Sequence, residues 1–297
     1  MDFKQLEAFI TVAKLKSFSK AANAIYLSQP TISSNISSLE KELKIQLFDR
    51  TSKEVNLTPA GESFLEYATD IINTRNNAIA NMSSFNNNIS GKLNISASTT
   101  PCNAILPKLI KSFNNDYNNV KFNIKEQGSV GIIKDILELR CEIGLVGAII
   151  ENSRIKSYKI MDDELVLVSH KSLGLPSVVK EEDLMNYKFI IREKESATRK
   201  TLESALTKAE IDYSKLKVVS QVNSLDAQFR LLKLGIGISV LSKCLCEDLI
   251  KLDEIQLSKI EGIDLHRSIY LVISSRRTLT PVANAFFDMC KNIYKLD

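Results

Sequence analysis

Residues 17–43 read SFSKAANAIYLSQPTISSNISSLEKEL, a pattern that predicts two helices with a tight break between them at Tyr26–Leu27. Ser19 is expected to cap the first helix, because its hydroxyl can accept a backbone N–H that lacks an intrahelical partner. This helix has one apolar side, formed by residues that recur at helical spacing: Ala21, Ala24 and Ile25. The stretch therefore predicts a pair of short helices joined by a turn.

The second helix has an apolar back and a polar front. Ser28 or Gln29 is expected to cap it, and Pro30 falls in its first turn, where the missing N–H of proline costs nothing. The back is a stripe of side chains within about 40° of one another at 100° per residue: Ile32, Ile36, Leu39 and Leu43. The front carries short, nearly uncharged side chains, with Ser33 on its flank: Pro30, Thr31, Ser34, Ser37, Ser38 and Lys41.

Such a helix suits the reading of DNA, because a firm apolar back and a low polar front allow it to enter the major groove. The alternative from this stretch alone is a serine-rich surface helix that reads nothing. Residues 2–16 predict a further helix that completes a three-helix unit. Residues 47–58 then predict a small hairpin or wing, and its cations Arg50 and Lys53 lie near the tip, where DNA phosphates or a minor groove could be met.

Composition limits the function without naming it. The chain has 297 residues, enough for two or three domains, and its net charge of +4 permits an anionic partner without demanding one. No apolar run approaches the ~20 residues of a membrane span, and the N-terminus does not resemble a secretory signal. We therefore expect a cytoplasmic protein with no membrane partner. Five scattered cysteines and two distant histidines predict reduced thiols, no metal site and no cofactor.

Residues 59–90 predict one long helix and a hinge. Thr58 caps the helix and Pro59 starts it. Apolar residues between positions 64 and 85 recur in steps of four and three, a heptad seam that only Arg75 interrupts. A helix of ~27 residues is ~40 Å long and too narrow to form a core by itself. A second copy of the chain is its simplest partner, and packing on its own domain is the alternative.

From residue 91 onward, strands alternate with helices, which predicts a parallel α/β sheet. The pattern restarts midway, and the chain returns to the first unit at its end. This predicts a two-lobed sensor with a cleft, in which lobe I covers about 91–161 and 267–297 and lobe II about 162–266. Strands are expected at 93–97, 120–126, 142–150, 164–169, 189–192, 217–222, 236–241 and 267–274, and helices at 103–116, 129–139, 197–209, 224–234 and 280–294.

Ligands of open α/β sheets lie beyond the carboxyl ends of the strands, near helix N-termini. Polar residues stand at such places in this chain, and hydroxyl and free N–H groups there suit a small anion or carboxylate. We expect an effector to contact Ser98, Thr99, Thr100, Gln127, Ser129, Ser196, Thr198 and Asn223. Plain helix capping by the serines and threonines is the alternative.

The order of these parts resembles the LysR-type transcriptional regulators. Residues 6–62 carry the resemblance, LEAFITVAKLKSFSKAANAIYLSQPTISSNISSLEKELKIQLFDRTSKEVNLTPAGE, through SFSKAA, SQPTIS, LEKEL, LFDR and LTPAG. It continues more weakly through ILPKL at 105–109, REKESATRKTLESAL at 192–206 and LLKLGIGISVLS at 231–242.

This resemblance implies an N-terminal winged helix-turn-helix at 1–58, a dimerising linker helix at 59–90 and a periplasmic-binding-protein-like α/β effector domain at 91–297. It also implies that α-helical and wing residues meet DNA: Gln29, Pro30, Thr31, Ser33, Ser34, Arg50 and Lys53. The implied partners are double-stranded promoter DNA, a small effector, further copies in a homodimer or homotetramer, and RNA polymerase.

Three places depart from the family pattern. Ser34 stands where relatives often have a long basic residue, and Ser242 stands where a proline is common. Glu195 and Ala197 replace glycines in the second sensor loop, and Glu195 puts a carboxylate close to the expected anion site. Among subgroups, the chain resembles clostridial regulators linked to sulfur or selenium metabolism.

The predicted function is sequence-specific DNA binding that regulates transcription in response to a small effector, with an anionic effector as one option and with no catalysis. Two rival classes remain. One is a transport-type binding protein whose first 90 residues only assemble it, and the missing secretory signal counts against this. The other is an α/β enzyme with Cys102 as nucleophile, which needs a general base that neither histidine is visibly placed to supply.

Overall fold

The computed structural model describes residues 1–49, 55–84, 89–149, 151–247 and 254–296. Its N-terminal head consists of helices α1 (Phe3–Leu15), α2 (Phe18–Ala24) and α3 (Gln29–Leu43), followed by the short strands β1 (Phe48–Asp49) and β2 (Asn56–Leu57). The two strands pair antiparallel and form the base of the predicted hairpin. The tip of that hairpin, with Arg50 and Lys53, lies outside the described residues.

The capping of α2 differs from the prediction, whereas that of α3 agrees with it. Ser17 caps α2 by accepting the backbone N–H of Lys20 at 3.3 Å. The prediction of Ser19 was wrong because α2 begins at Phe18, which places Ser19 inside its first turn. Ser28 caps α3 as expected. The break between these helices includes Tyr26 in the left-handed region, with φ of 55°.

The head has a core of its own beneath the apolar back of α3. Ile32, Ile36 and Leu39 are fully buried, and Leu43 packs at the edge. Glu40 is also buried, at 8 % exposure, and its Oε1 accepts the backbone N–H groups of two residues that lead into β1, at 2.9 and 3.3 Å: Leu47 and Phe48. A carboxylate that satisfies two buried amides fixes the start of the wing against α3.

Helix α4 (Pro59–Ser84) leaves the head as the predicted long helix. Thr58 caps it by accepting the N–H of Gly61 at 3.0 Å. A Cβ on Gly61 would lie 2.1 Å from the carbonyl oxygen of Leu47, so this position has room only for glycine. The first turns of α4 pack into the core of the head through Phe64, Leu65, Ala68 and Ile72.

The second part of α4 contacts the C-terminal part of the chain. Asn73 and Asn77 donate from Nδ2 to the carbonyls of Thr278 and Leu279, at 2.7 and 3.0 Å. Helix α4 therefore packs in part on its own chain, which was the alternative to pairing with a second copy. The heptad seam nevertheless keeps open positions, since Ile71 is 37 % exposed and Ala78 is exposed as well.

The C-terminal part, from residue 91, is an α/β domain. An eight-stranded sheet runs in the order β4-β3-β5-β12-β6-β11-β7, with β10 also paired to β6, and β8 and β9 form a separate parallel pair. The strands are β3 (Gly91–Ala97), β4 (Val120–Glu126), β5 (Ile143–Val146), β6 (Ile155–His170), β7 (Val178–Val179), β8 (Lys188–Arg192), β9 (Lys217–Val222), β10 (Ser239–Ser242), β11 (Ile255–Ile260) and β12 (His266–Ser274). The helices are α5 (Leu106–Asp116), α6 (Ser129–Leu137), α7 (Ala197–Lys208), α8 (Leu225–Lys233) and α9 (Pro281–Tyr294), with a π-helical turn Pro101–Ile105 before α5.

Strand β6 divides this domain into two lobes. Its first part pairs with β12, and its second part pairs with β10 and β11. Lobe I is built on β3, β4 and β5 with a core that includes Phe113 and Phe286, and lobe II has a separate core that includes Phe189 and Leu202. The prediction of a parallel sheet was wrong for β12, β10 and β11, which run antiparallel to their neighbours β5 and β6. The chain leaves lobe I along β6 and returns to it along β12, so these two strands run antiparallel.

The point where β6 passes from one lobe to the other is marked by Glu164. Lys243 and Lys259 each donate to one of its carboxylate oxygens at 2.8 Å. Their hydrogen bonds hold the pKa of Glu164 at about 2, below its ordinary value of 4.5. This ion cluster joins β6 to β11 and to the turn after β10.

Candidate functional site

The polar front of α3 is exposed along its first turns. Gln29, Pro30, Thr31 and Ser34 are exposed, and Ser33 is half-buried on the flank. Among them, Gln29 is held by a hydrogen bond from Ser19 to its Oε1 at 2.9 Å. The first turn of α3 contains no acidic residue. Its N–H groups and the positive end of the helix dipole are therefore compatible with phosphate.

Tyr26 is an exposed aromatic residue that sequence reasoning did not assign to this surface. Its side chain is 95 % exposed at the break that precedes α3. It follows Ile25, the C-cap of α2, where a residue in the left-handed region commonly ends a helix. The signal in the sequence was the tyrosine directly before LSQP. The wing cations Arg50 and Lys53, which were assigned, lie outside the described residues.

All eight residues predicted to contact an effector line one cavity between the lobes. The cavity has a volume of about 450 Å³ and lies between the carboxyl ends of β3 and β4 and the N-termini of α7 and α8. The residues are Ser98, Thr99, Thr100, Gln127, Ser129, Ser196, Thr198 and Asn223. The structure thus brings them together, and contact with an effector stays a prediction.

Two buried arginines in the cleft were missed from the sequence, and Arg267 is the first. Its side chain is 7 % exposed and forms an ion pair with Asp163, Nε to Oδ2, at 2.8 Å. Its Nη2 donates to Thr100 of lobe I at 2.8 Å, and its Nη1 donates to Thr198 of lobe II at 3.1 Å. Arg267 therefore connects the two lobes across the cleft.

Arg192, at the end of β8, is the second of these arginines and is 6 % exposed. Its Nε and Nη2 donate to the two carboxylate oxygens of Glu193 at 2.9 and 3.0 Å. Its Nη2 also donates to Oγ1 of Thr99 at 3.2 Å and to the carbonyl of Asn223 at 3.3 Å. A charged residue at the end of an apolar strand, FIIR, was the available signal in the sequence.

Helix capping does not explain the hydroxyls of the cleft. Ser196 stands at the N-cap of α7 and is 9 % exposed, yet its side chain makes no capping hydrogen bond. Thr100 precedes the π-helical turn and likewise caps nothing, since it accepts from Arg267 instead. Ser224, which was not among the predicted residues, is the serine that caps α8. The alternative reading is therefore contradicted for Ser196 and Thr100.

Gln127 lines the cavity, but its amide nitrogen already donates to other side chains. Its Nε2 donates to Asp135, beneath the sheet edge, and to Oγ of Ser96 at 3.4 Å. Asp135 is 3 % exposed and also pairs with Lys125 at 2.9 Å and Arg140 at 2.7 Å. Burial raises the pKa of Asp135, but these hydrogen bonds and charges outweigh burial, so its pKa lies below 3.8. The amide of Gln127 thus donates a hydrogen bond to an ionised carboxylate.

The rest of the described chain offers no competing chemistry. No group of three or more His, Cys, Asp or Glu residues there is arranged to hold a metal ion. The five cysteines are free, and burial, with the nearby charge of Glu126, raises the pKa of the Cys102 thiol above 9.0. A raised pKa lowers the thiolate fraction that a nucleophile needs. No helix in the described ranges has both the length and the apolarity to cross a membrane.

A helix-turn-helix head, a long connecting helix and a two-lobed α/β domain with a polar cleft define the class of ligand-responsive DNA-binding regulators. Residues 3–62 match the family of the bacterial regulatory helix-turn-helix protein, lysR family, and residues 86–294 match the LysR substrate binding domain. The chain belongs to the LysR family of DNA-binding transcriptional regulators, which are not enzymes.

Relatives cover nearly the whole chain. An uncharacterized HTH-type transcriptional regulator of Methanocaldococcus jannaschii is 35 % identical over 93 % of this chain and 94 % of its own length. A probable RuBisCO transcriptional regulator of Phaeodactylum tricornutum is 31 % identical over 92 % of this chain and 90 % of its own length. These matches include both the head and the α/β domain.

Solved structures show the same fold. A full-length OxyR variant from Pseudomonas aeruginosa aligns with a TM-score of 0.76 at 18 % identity, covering 99 % of this chain and 94 % of that one. Full-length CbnR in complex with its target DNA aligns with a TM-score of 0.58 at 20 % identity, covering 98 % and 99 %. At these identities the likeness concerns the fold alone.

Proposed function

We propose that this regulator reads its DNA site with the N-terminal part of α3, through Gln29, Pro30, Thr31, Ser33 and Ser34, and that Arg50 and Lys53 of the wing meet the DNA backbone or minor groove. The observation that carries the proposal is the exposed front of α3, uncharged over its first turns, above an apolar stripe in which Ile32, Ile36 and Leu39 are fully buried. Short side chains there leave the base edges within reach once the helix enters the major groove. The absence of bulk at Ser34 gives this chain its own base preference.

The DNA-reading proposal is tested by footprinting on bound promoter fragments. Ser33→Glu together with Ser34→Glu places two carboxylates against phosphates and base edges, so specific protection of the DNA is expected to disappear while the oligomeric state stays unchanged. The matched control is Ser153→Glu together with Ser177→Glu, two exposed serines of the α/β domain. An unchanged footprint with the α3 variant would remove α3 from the DNA interface.

The finer organisation is also part of this proposal. We take 1–58 as the DNA-binding domain, 59–90 as the linker helix and 91–297 as the effector domain, and we place a second chain along the open seam of α4. Ile71 and Ala78 support this, since exposed apolar residues at heptad positions gain from a partner helix. A twofold pair of heads reads a pseudo-palindromic site, either as a homodimer or within a homotetramer.

The cleft between the lobes is proposed as the site of a small effector. Two observations support a ligand with a negatively charged group. Buried arginines already connect the lobes, and the hydroxyls of Ser196 and Thr100 do not cap a helix. Thr100→Val together with Ser196→Val removes two of the hydroxyls, so the effect of the effector on DNA binding is expected to weaken by about 10-fold or more. An equal response in wild type and variant would exclude the cleft.

Some partners follow from the function itself. A regulator that binds chromosomal DNA works in the cytoplasm, and a regulator of transcription acts through RNA polymerase; both remain proposals for this chain.

The resemblance to clostridial regulators of sulfur or selenium metabolism stays a prediction, and none of the relatives reported above supports it.

A further inference from the structure

The charges around the cleft cavity do not suit a simple anion. Two arginines line it, Arg192 and Arg267, together with four carboxylates: Glu126, Glu193, Glu195 and Asp226. Three of the carboxylates have a cation of their own. Glu193 pairs with Arg192 at 2.9 Å, Glu195 pairs with Lys200 at 3.4 Å, and Asp226 pairs with Arg230 at 2.7 Å. A ligand that carries only negative charge therefore enters a cavity in which carboxylates predominate.

Glu126 is the carboxylate that differs from the others. It lies at the end of β4, and no cation among the described residues stands within ion-pair distance of it. Its contact is a hydrogen bond from Nδ2 of Asn103 to its Oε2 at 3.2 Å. The side chain of Glu126 is exposed and lines the cavity, so its carboxylate is available to a ligand.

Arg192 offers the complementary charge nearby. It is more than nine-tenths buried, and four hydrogen bonds use its Nε and Nη2, whereas its Nη1 donates to no residue that the structure describes. Nη1 is not one of the buried side-chain atoms that lack a partner, so it is open to the cavity that Arg192 lines, and a ligand carboxylate there can accept from it. The cavity thus contains one donor group without an acceptor and one carboxylate without a cation.

These two groups flank the same residue. The hydroxyl of Thr99 accepts from Arg192 at 3.2 Å, and its carbonyl accepts from Asn103 at 2.8 Å, which in turn donates to Glu126. A cation and an anion are therefore held on two sides of Thr99. Both groups also line the same cavity, so a single ligand that carries both charges can contact them within it.

We propose that the effector of this chain is a zwitterion of the α-amino acid class, with its carboxylate at Arg192 and its ammonium group at Glu126. This inference rests on the proposed role of the cleft as the effector site. A zwitterion gives both Arg192 and Glu126 a partner of opposite charge. A ligand with a carboxylate but no ammonium group is repelled by Glu126. The volume of about 450 Å³ is within the range of small-ligand sites.

A neighbouring cavity has room for the side chain of such a ligand. It has a volume of about 1080 Å³ and shares Gln127, Gly128, Ser129, Glu195 and Ala197 with the cleft. Its wall also contains exposed apolar residues, Val130 and Ile149, at 67 and 60 % exposure. The charged end of the ligand and its variable part are thus received by different regions.

The test uses thermal shift and calorimetric titration of the full chain with matched probes. The probes are the proteinogenic L-α-amino acids, the carboxylic acid that lacks only the α-amino group of each, and inorganic sulfate. At least one amino acid is expected to bind, with an affinity about tenfold or more above that of its desamino acid. Glu126→Gln is expected to remove this preference while the desamino acid still binds, and Asp288→Asn, at an exposed carboxylate outside the cleft, is expected to retain it.

The outcomes separate this inference from the proposed function. Equal binding of amino acid and desamino acid, a preference that survives Glu126→Gln, or no binding of any amino acid overturns the zwitterion class. If sulfate or a desamino acid then binds and alters the DNA footprint, the cleft stands as an effector site and only the ligand class fails. Amino acid binding that is unchanged both in the Glu126→Gln protein and in the Thr100→Val, Ser196→Val protein overturns both, because the ligand then contacts none of the cleft residues that were changed.

Discussion

Replacement of Asp163 by asparagine tests whether the ion pair beneath the cleft holds the effector domain together. The Asp163 side chain is 1 % exposed, and its carboxylate pairs with Arg267 at 2.8 Å and also accepts a hydrogen bond from Ser242. Asp163→Asn keeps the shape of the side chain but removes its charge and one acceptor oxygen. The guanidinium of Arg267 then remains buried with neutral acceptors alone, namely the hydroxyls of Thr100 and Thr198 and the one side-chain oxygen left at position 163.

The expected cost follows from the burial of the remaining charge. Removal of one partner of a buried ion pair typically destabilises a protein by about 3–5 kcal/mol. The two hydroxyl acceptors of Arg267 place Asp163→Asn near the lower end, at about 3 kcal/mol. For a domain of roughly 200 residues this corresponds to a fall in Tm of about 6–12 °C.

The assay is scanning calorimetry of the full chain, in which the transition of the effector domain is followed. Asp226→Asn is the matched control, since it makes the same chemical change in an ion pair of nearly the same length, 2.7 Å against 2.8 Å, whose side chains are 73 to 75 % exposed. Such an exposed pair contributes little to stability, because water screens both charges. A Tm for Asp163→Asn no lower than that of Asp226→Asn would refute the reasoning, because burial would then have no effect on the cost.

Three further changes test other parts of the fold. Gly61→Ala is expected to cost the head about 1–3 kcal/mol in urea unfolding, because its Cβ meets the Leu47 carbonyl oxygen; an unchanged midpoint would contradict that contact. Asn73→Ala removes the hydrogen bond to the Thr278 carbonyl and is expected to lower stability by about 1 kcal/mol, against no effect if α4 does not hold this loop. Glu164, whose pKa is lowered to about 2, stabilises the fold above its ordinary pKa of 4.5, and this contribution is lost as the pH falls through 2. The difference in urea midpoint between wild type and Glu164→Gln should therefore shrink on acidification, and a difference independent of pH would argue against the lysine contacts.

Much of the head could be predicted from the sequence because its signals are local. The stripe of α3, the caps at Ser28 and Thr58, and Pro30 in the first turn all depend on residues a few positions apart. The α2 cap was displaced by two residues, since SFS offers two serines and the choice depends on where the helix meets its neighbours. Glu40 was missed because LEKEL reads as a charged surface, and only the folded head brings the amides of β1 onto that carboxylate.

The cleft residues could be predicted from topology, but their connections could not. Polar residues after strands converge because the ends of neighbouring strands meet at one edge of a sheet. The hydrogen bond from Arg267 to Thr100 joins residues 167 positions apart, and no local pattern reports such a contact. The first part of β6, Ile155–Asp163, was missed because charged and polar residues interrupt it, although its pairing with β12 makes it part of the main sheet.

The loop between β12 and α9 is hydrogen-bonded to two other helices, α6 and α4. Arg277 in this loop donates to the carbonyl of Ile136, in the last turn of α6, and to that of Cys141, beyond the helix. The first residue of α6, Ser129, lines the cleft. The next two residues of the loop are held by Asn73 and Asn77 of α4. Helix α6 has nine residues and so spans about 13 Å as a stiff rod. A displacement of the first residue of α6 in the cleft would therefore be carried over about 13 Å to the loop that α4 holds, and from there to the helix that leads to the DNA-binding head.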